Sequence, residues 1–179
     1  MLRSLGRVRF VTFDDWMTKA EYLDGAAWVD ARLLPVVREV ARRVARPYGA
    51  ISPEKMGAIA RDLFRLVRDR VRYVSDPASE EFSDAQQTLE QGFGDCDDKV
   101  RCFVALARSL KLEAHVRPVM RGSEFAHVQA VVRWPGSERE RKALQDGWMV
   151  AELILRDAEL GDDVQDVPAP PGLDWRPLA

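Results

Sequence analysis

Residues 92–134 constrain the chain more than any other stretch. Gly92-Phe93-Gly94-Asp95-Cys96-Asp97-Asp98 places two glycines and three acids immediately before an apolar helical pattern. That pattern predicts a helix over residues 99–110, with the acids at its start. Two strand-like runs follow, 113–120 and 124–134, separated by Arg121-Gly122-Ser123. A charged loop, 135–146, then leads to a third run over 147–155. Helices first and consecutive strands afterwards predict an α+β fold.

Upstream, apolar residues recur at helical spacing over 26–46: Val29, Leu33, Val36 or Val37, Val40 and Val44. Arg38, Arg42 and Arg46 form a separate stripe, which reads as a solvated face. Pro47-Tyr48-Gly49 stops this helix, and Ser52-Pro53-Glu54 starts the next, with serine as the expected N-cap. Met56, Ile59, Ala60, Leu63, Val67 and Val71 carry that helix to about residue 73. Residues 1–24 show no assignable pattern, and 76–94 reads as a long irregular loop. From Gly161 the chain holds Pro168, Pro170, Pro171 and Pro177 and reads as extended or disordered. The expected organisation is an N-terminal helical extension (1–50), a cysteine-bearing domain (51–160) and a Pro-rich tail (161–179).

Composition excludes several classes. With 46% hydrophobic and 31% charged residues, collagen-like, coiled-coil and wholly disordered chains are ruled out. No run approaches the roughly 20 apolar residues of a membrane span, so no membrane partner is expected. Residues 1–12 lack an apolar h-region, so no signal peptide and a cytoplasmic location are expected. Cys96 and Cys102, six residues apart on one helix, would point about 240° from each other and remain free thiols. Residues 1–73 carry 15 basic and 9 acidic side chains, whereas 74–179 carry 12 and 20. Such halves can neutralise each other across an interface. Without a zinc-finger spacing or a stacking-aromatic motif, nucleic acid is disfavoured as a partner.

Cys96 is the centre of the chemistry. At offsets of 4, 7, 11 and 14 it shares a helical face with Val100, Phe103, Ala107 and Leu110, which directs the thiol inward. A helix N-terminus favours thiolate, and its N–H groups can receive an oxyanion. Asp95, Asp97 and Asp98 oppose that effect by like charge, so a thiolate here needs an imidazolium partner. Cys102, further along the helix, reads as a core thiol.

Only two histidines exist, His115 and His127. His127 lies in Phe125-Ala126-His127-Val128-Gln129-Ala130-Val131-Val132, on the less apolar face of a strand. Glu152 is the lone ionisable group in Gly147-Trp148-Met149-Val150-Ala151-Glu152-Leu153-Ile154-Leu155 and requires a partner if buried. Cys96, His127 and Glu152 fit nucleophile, base and orienting acid better than a zinc site. No metal and no cofactor are expected.

Gly94-Asp95-Cys96-Asp97-Asp98, the helix after it, the Phe125–Val132 segment and Gly147-Trp148-Met149-Val150-Ala151-Glu152 together resemble the transglutaminase-like superfamily, over roughly residues 55–157. The compact cysteine motif is similar to small bacterial and phage-type members. The resemblance implies a nucleophile-bearing helix packed on a small antiparallel sheet, with Cys96 as nucleophile, His127 as base and Glu152 at the position of the acid. The family usually has Asp followed by Pro there, whereas this chain has Glu152-Leu153; Asp146 and Asp157 are weaker substitutes.

The expected activity is cysteine-dependent acyl transfer through a thioester: peptide or amide hydrolysis with water as acceptor, transamidation with an amine. The Cys96 N–H is the main oxyanion donor, and Gln86, Gln87 and Gly94 are further substrate-binding candidates. A peptide or protein is the expected substrate. The alternative is a non-catalytic structural or adaptor protein of a phage or contractile particle, docking through the N-terminal region or the Pro-rich tail, with Trp175 as an anchor.

Overall fold

A computed structural model describes residues 8–9, 16–75, 81–121 and 124–163. The Pro-rich segment beyond Asp163, including Trp175, lies outside the described residues. In chain order the elements are β1 (Val8–Arg9), α1 (Trp16–Leu33), α2 (Pro35–Ala45), a 3-10 turn (Arg46–Tyr48), α3 (Pro53–Arg70), β2 (Arg72–Tyr73), β3 (Glu81–Phe82), α4 (Ala85–Gln91), β4 (Phe93–Gly94), α5 (Cys96–Ser109), β5 (Glu113–Arg121), β6 (Glu124–Arg133) and β7 (Met149–Ala151). The fold is α+β, as expected.

α5 is the centre of the molecule. Every residue from Asp97 to Ala107 is buried, because α1, α2, α3 and α4 surround it and β5 and β6 cover the remaining side. A helix enclosed on all sides tolerates charge only where a partner meets it. Arg101 accordingly forks onto Asp30 of α1 through Nε at 2.7 Å and Nη2 at 2.9 Å. Arg108 pairs with Asp24 of the same helix at 2.8 Å.

The single helix expected over 26–46 is two helices. Proline disfavours helical geometry in the residue before it, and Leu34 is extended (φ −88°, ψ 111°) ahead of Pro35. The break changes which side chains face inward. Leu23, Ala27, Ala31, Val37, Ala41 and Ala45 are buried, whereas Val29 and Leu33, expected in the core, are exposed. α3 begins where Ser52-Pro53-Glu54 predicts, but Ser52 Oγ donates to Glu54 Oε1 at 2.6 Å and does not cap the helix.

The described part of the expected loop, residues 81–94, is not irregular. It holds α4, opened by a capping box in which Asp84 Oδ1 accepts from Gln87 N at 2.8 Å and Gln87 Oε1 accepts from Asp84 N at 3.2 Å. Gly92 closes α4 in the left-handed region (φ +71°). β4 then runs parallel to β2, with Arg72 N–H on Gly92 O (2.8 Å) and Val74 N–H on Gly94 O (3.0 Å). This pairing fixes the chain entering α5 against the end of α3.

β5, β6 and β7 form an antiparallel sheet in that order, with Val128 opposite Pro118 and Ala130 opposite Ala151. Pro118 is tolerated because β5 is the edge strand. β7 is shorter than the expected run. Glu152 Oε1 accepts from Ile154 N at 3.0 Å, and the chain turns out of the sheet there. Gly161 N–H returns to Val150 O at 2.7 Å, which ties residue 161 onto β7.

Candidate functional site

The site forms where β7 stops. β7 occupies the edge of β6 at Ala130 and Val132. The next N–H on that edge, from Val128, is directed at the Cys96 thiol. The first residue of α5 thus meets the sheet one position from His127. Asp95 caps α5 by accepting from Asp97 N (2.9 Å) and Asp98 N (3.1 Å). The Cys96 N–H is the first-turn amide that this cap does not use.

The glycine before the cap is required by packing. A Cβ at Gly94 would lie 2.6 Å from Asp98 Cβ and 2.8 Å from its Oδ2. Asp98 in turn accepts from Ser83 N at 2.7 Å, which ties the segment before α4 to the start of α5. Gly94, expected near substrate, therefore has this close approach as its observed role.

Cys96 is half-buried and Cys102 fully buried, both as free thiols. Burial pushes the Cys96 thiol well up, and the Asp97 and Asp95 carboxylates push it further; Lys19 and the Val128 N–H act in the opposite direction. The thiol donates to Asp97 Oδ1 at 3.8 Å. Cys102 is raised too, chiefly by burial.

His127 and Glu152 are buried together, with Nε2 2.9 Å from Glu152 Oε2. An ionised carboxylate accepts only, so this contact assigns the ring proton to Nε2 and the lone pair to Nδ1. The extra methylene of glutamate is taken up by further anchors. Oε1 accepts from Ile154 N, and Oε2 also accepts from Gln129 Nε2 at 2.9 Å. Gln129 is held in turn by Arg117 and Asp163, at 3.0 and 3.1 Å. Lys99 lies close enough that the Glu152 charge supports its own. Its ammonium donates to Val71 O (2.6 Å) and Arg68 O (3.1 Å) at the end of α3, and burial pulls its pKa down to about 8.

Gln86 Nε2 donates to Glu90 at 2.8 Å, and Gln87 serves the capping box of α4. His115 sits at the surface beside Asp24 and Trp148. Asp146 and Asp157 are exposed. Asp95, Cys96 and Asp97 are the one group among the described residues whose donor atoms cluster within 4.8 Å. Asp95 is engaged in the cap and Asp97 in an ion pair, so the arrangement is that of a helix start and not of a ligand cage.

That ion pair is the part sequence reasoning missed. Lys19 Nζ, from α1, lies 2.7 Å from Asp97 Oδ2, and both residues are buried. One signal was available. The chain has only five lysines against 22 arginines, and two of the five, Lys19 and Lys99, are buried at this site.

A family model described as the transglutaminase-like superfamily matches residues 40–152, a span that includes Cys96, His127 and Glu152. No curated protein and no solved structure matches the chain. Among the described residues, no helix is long and apolar enough to cross a membrane.

Proposed function

From the premise that the chain belongs to the transglutaminase-like superfamily, we propose that it is a cysteine-dependent acyl-transfer enzyme acting on a peptide or amide. The single observation that carries this reading is the buried His127–Glu152 pair, set one residue from the N–H that faces the Cys96 sulfur. A histidine that only filled a core would not need a carboxylate held by three separate bonds.

In this reading Cys96 S–H gives its proton to His127 Nδ1 as sulfur attacks the carbonyl carbon. Glu152 steadies the imidazolium through Nε2. The developing oxyanion takes the Cys96 N–H, in line with the α5 dipole. When the tetrahedral adduct collapses, the imidazolium returns the proton to the leaving amine and a thioester remains on Cys96. Water then gives the acid, and an amine gives a new amide. Hydrolysis is the proposed main outcome.

One observation favours a second reading, a non-catalytic structural or adaptor protein of a phage-like particle: the resting thiol is bonded to Asp97 and flanked by Asp95. A single experiment separates the two. The protein is incubated with a peptide library, with and without a primary amine, then quenched in acid and analysed by intact mass. The enzyme reading expects an acyl adduct on Cys96 and cleaved or amine-extended products. Absence of adduct and product from every peptide, with Cys96 reduced and intact, would overturn it.

A further inference from the structure

We propose that Lys19, on the helix preceding the matched family region, is a positioning residue for Cys96: it cancels the Asp97 charge so that the sulfur can release its proton to His127. The inference rests on the catalytic reading of Cys96 and deepens it.

Asp97 bridges two partners. Its Oδ2 lies 2.7 Å from Lys19 Nζ, and its Oδ1 is the acceptor for the Cys96 thiol at 3.8 Å. Lys19 and Asp97 are 5% and 1% exposed, so solvent does little to screen either charge. Lys19 also lies over the buried Phe82 ring, 5.5 Å from its centroid, which holds the ammonium at this spot.

The charge balance follows the proton. Before transfer the sulfur is neutral, and Asp97 and Lys19 cancel. After transfer the sulfur is negative and His127 positive, and Lys19 still offsets the Asp97 charge. Without Lys19, the same step places the sulfide beside a buried carboxylate that has lost its lysine partner. Like charge at this range disfavours the thiolate strongly.

The groups facing the sulfur come from three elements. α5 contributes Asp95 and Asp97, α1 contributes Lys19, and β6 contributes the Val128 N–H with His127 next to it. Asp95 is partly offset by the first-turn amides it caps. Asp97 is met by Lys19 of α1. The helix outside the matched region thereby takes part in the chemistry of the site.

The test is the pH profile of iodoacetamide alkylation at Cys96, read by mass spectrometry on the full chain. Folding of each variant is checked by circular dichroism. Lys19→Met is expected to move the Cys96 inflection up by about one pH unit or more, roughly a tenfold loss of rate at neutral pH. Lys19→Arg keeps the charge and should stay within about half a unit of wild type. Asp97→Asn should move the inflection down, and Lys19→Met combined with Asp97→Asn should return it close to wild type.

An unmoved inflection in Lys19→Met, or a double variant whose inflection stays well above the wild-type value, would overturn the proposal. Should Lys19→Met not fold, Lys19→Gln carries the same expectation. The direction of the Asp97→Asn shift decides the matter independently, because an upward or absent shift removes the premise. Failure of the catalytic reading itself appears separately, as a wild-type profile that His127→Ala leaves unchanged.

Discussion

The sulfur side and the imidazole side of the site each contain a buried acid and a buried lysine, arranged to different effect. Around His127, Glu152 accepts from the ring, from Gln129 and from Ile154 N–H, and Lys99 adds a favourable field while its own donors go to α3 carbonyls. Around Cys96, Asp97 accepts from the thiol and is met directly by Lys19. In the proposed reaction Glu152 would support the charge created on the ring, and Asp97 would oppose the charge created on sulfur. An acid therefore needs a lysine in contact where it stands against the reaction, and only a lysine nearby where it assists.

The largest expected effect comes from removing the reacting groups. Cys96→Ala or His127→Ala should lower turnover about 10⁴-fold or more on any substrate the library experiment finds, with the fold retained by circular dichroism. Glu152→Gln keeps the shape of the imidazole side and deletes its charge. It should lower kcat by about 10²–10⁴ with KM little changed, and steady-state kinetics would read the split. An equal loss for Asp97→Asn would erase the distinction between the two acids.

A control for both sides is the Arg101–Asp30 pair, which joins α1 to α5 but faces neither Cys96 nor His127. Asp30 also accepts from Ala85 N at 3.0 Å. Asp30→Ala should destabilise the protein by about 3–5 kcal/mol in urea unfolding, because it strands a buried guanidinium. The Cys96 alkylation inflection should stay in place in the folded variant.

The smallest effect concerns Lys99. Its folded pKa, about 8, lies below the unfolded value, so the unfolded chain holds more protons between pH 8 and about 10.4. Stability contributed at this position is therefore lowest at pH 8 and below, and rises as pH climbs through that window. Relative to Lys99→Met, wild type should gain as much as about 3 kcal/mol by pH 10.4 in denaturant titrations. A flat difference would show that Lys99 carries no burial penalty.

The segments that carry Cys96, His127 and Glu152 were legible from order and spacing, as a helix start, a strand face and the lone acid of an apolar run. α1 was not. Its inward residues are largely alanines, its larger apolar residues Trp28, Val29 and Leu33 face out, and no periodic stripe survives that arrangement. Lys19 consequently lay in a segment without assignment. α4 was legible in principle, since Asp84 and Gln87 stand at capping-box spacing, but its seven residues carry too little apolar pattern to stand out. β7 was overextended because Leu153, Ile154 and Leu155 are as apolar as a strand. They are buried by packing after the turn at Glu152, and periodicity does not separate the two cases.

In the proposed reaction His127 serves as the base for Cys96. The most direct measurement is the iodoacetamide alkylation rate of Cys96 from pH 4 to 10 in wild type and His127→Ala, with buried Cys102 as the internal reference. Wild-type Cys96 is expected to react at neutral pH at least about tenfold faster than in His127→Ala, and the substitution to move its inflection to higher pH. Two superimposable profiles would contradict it.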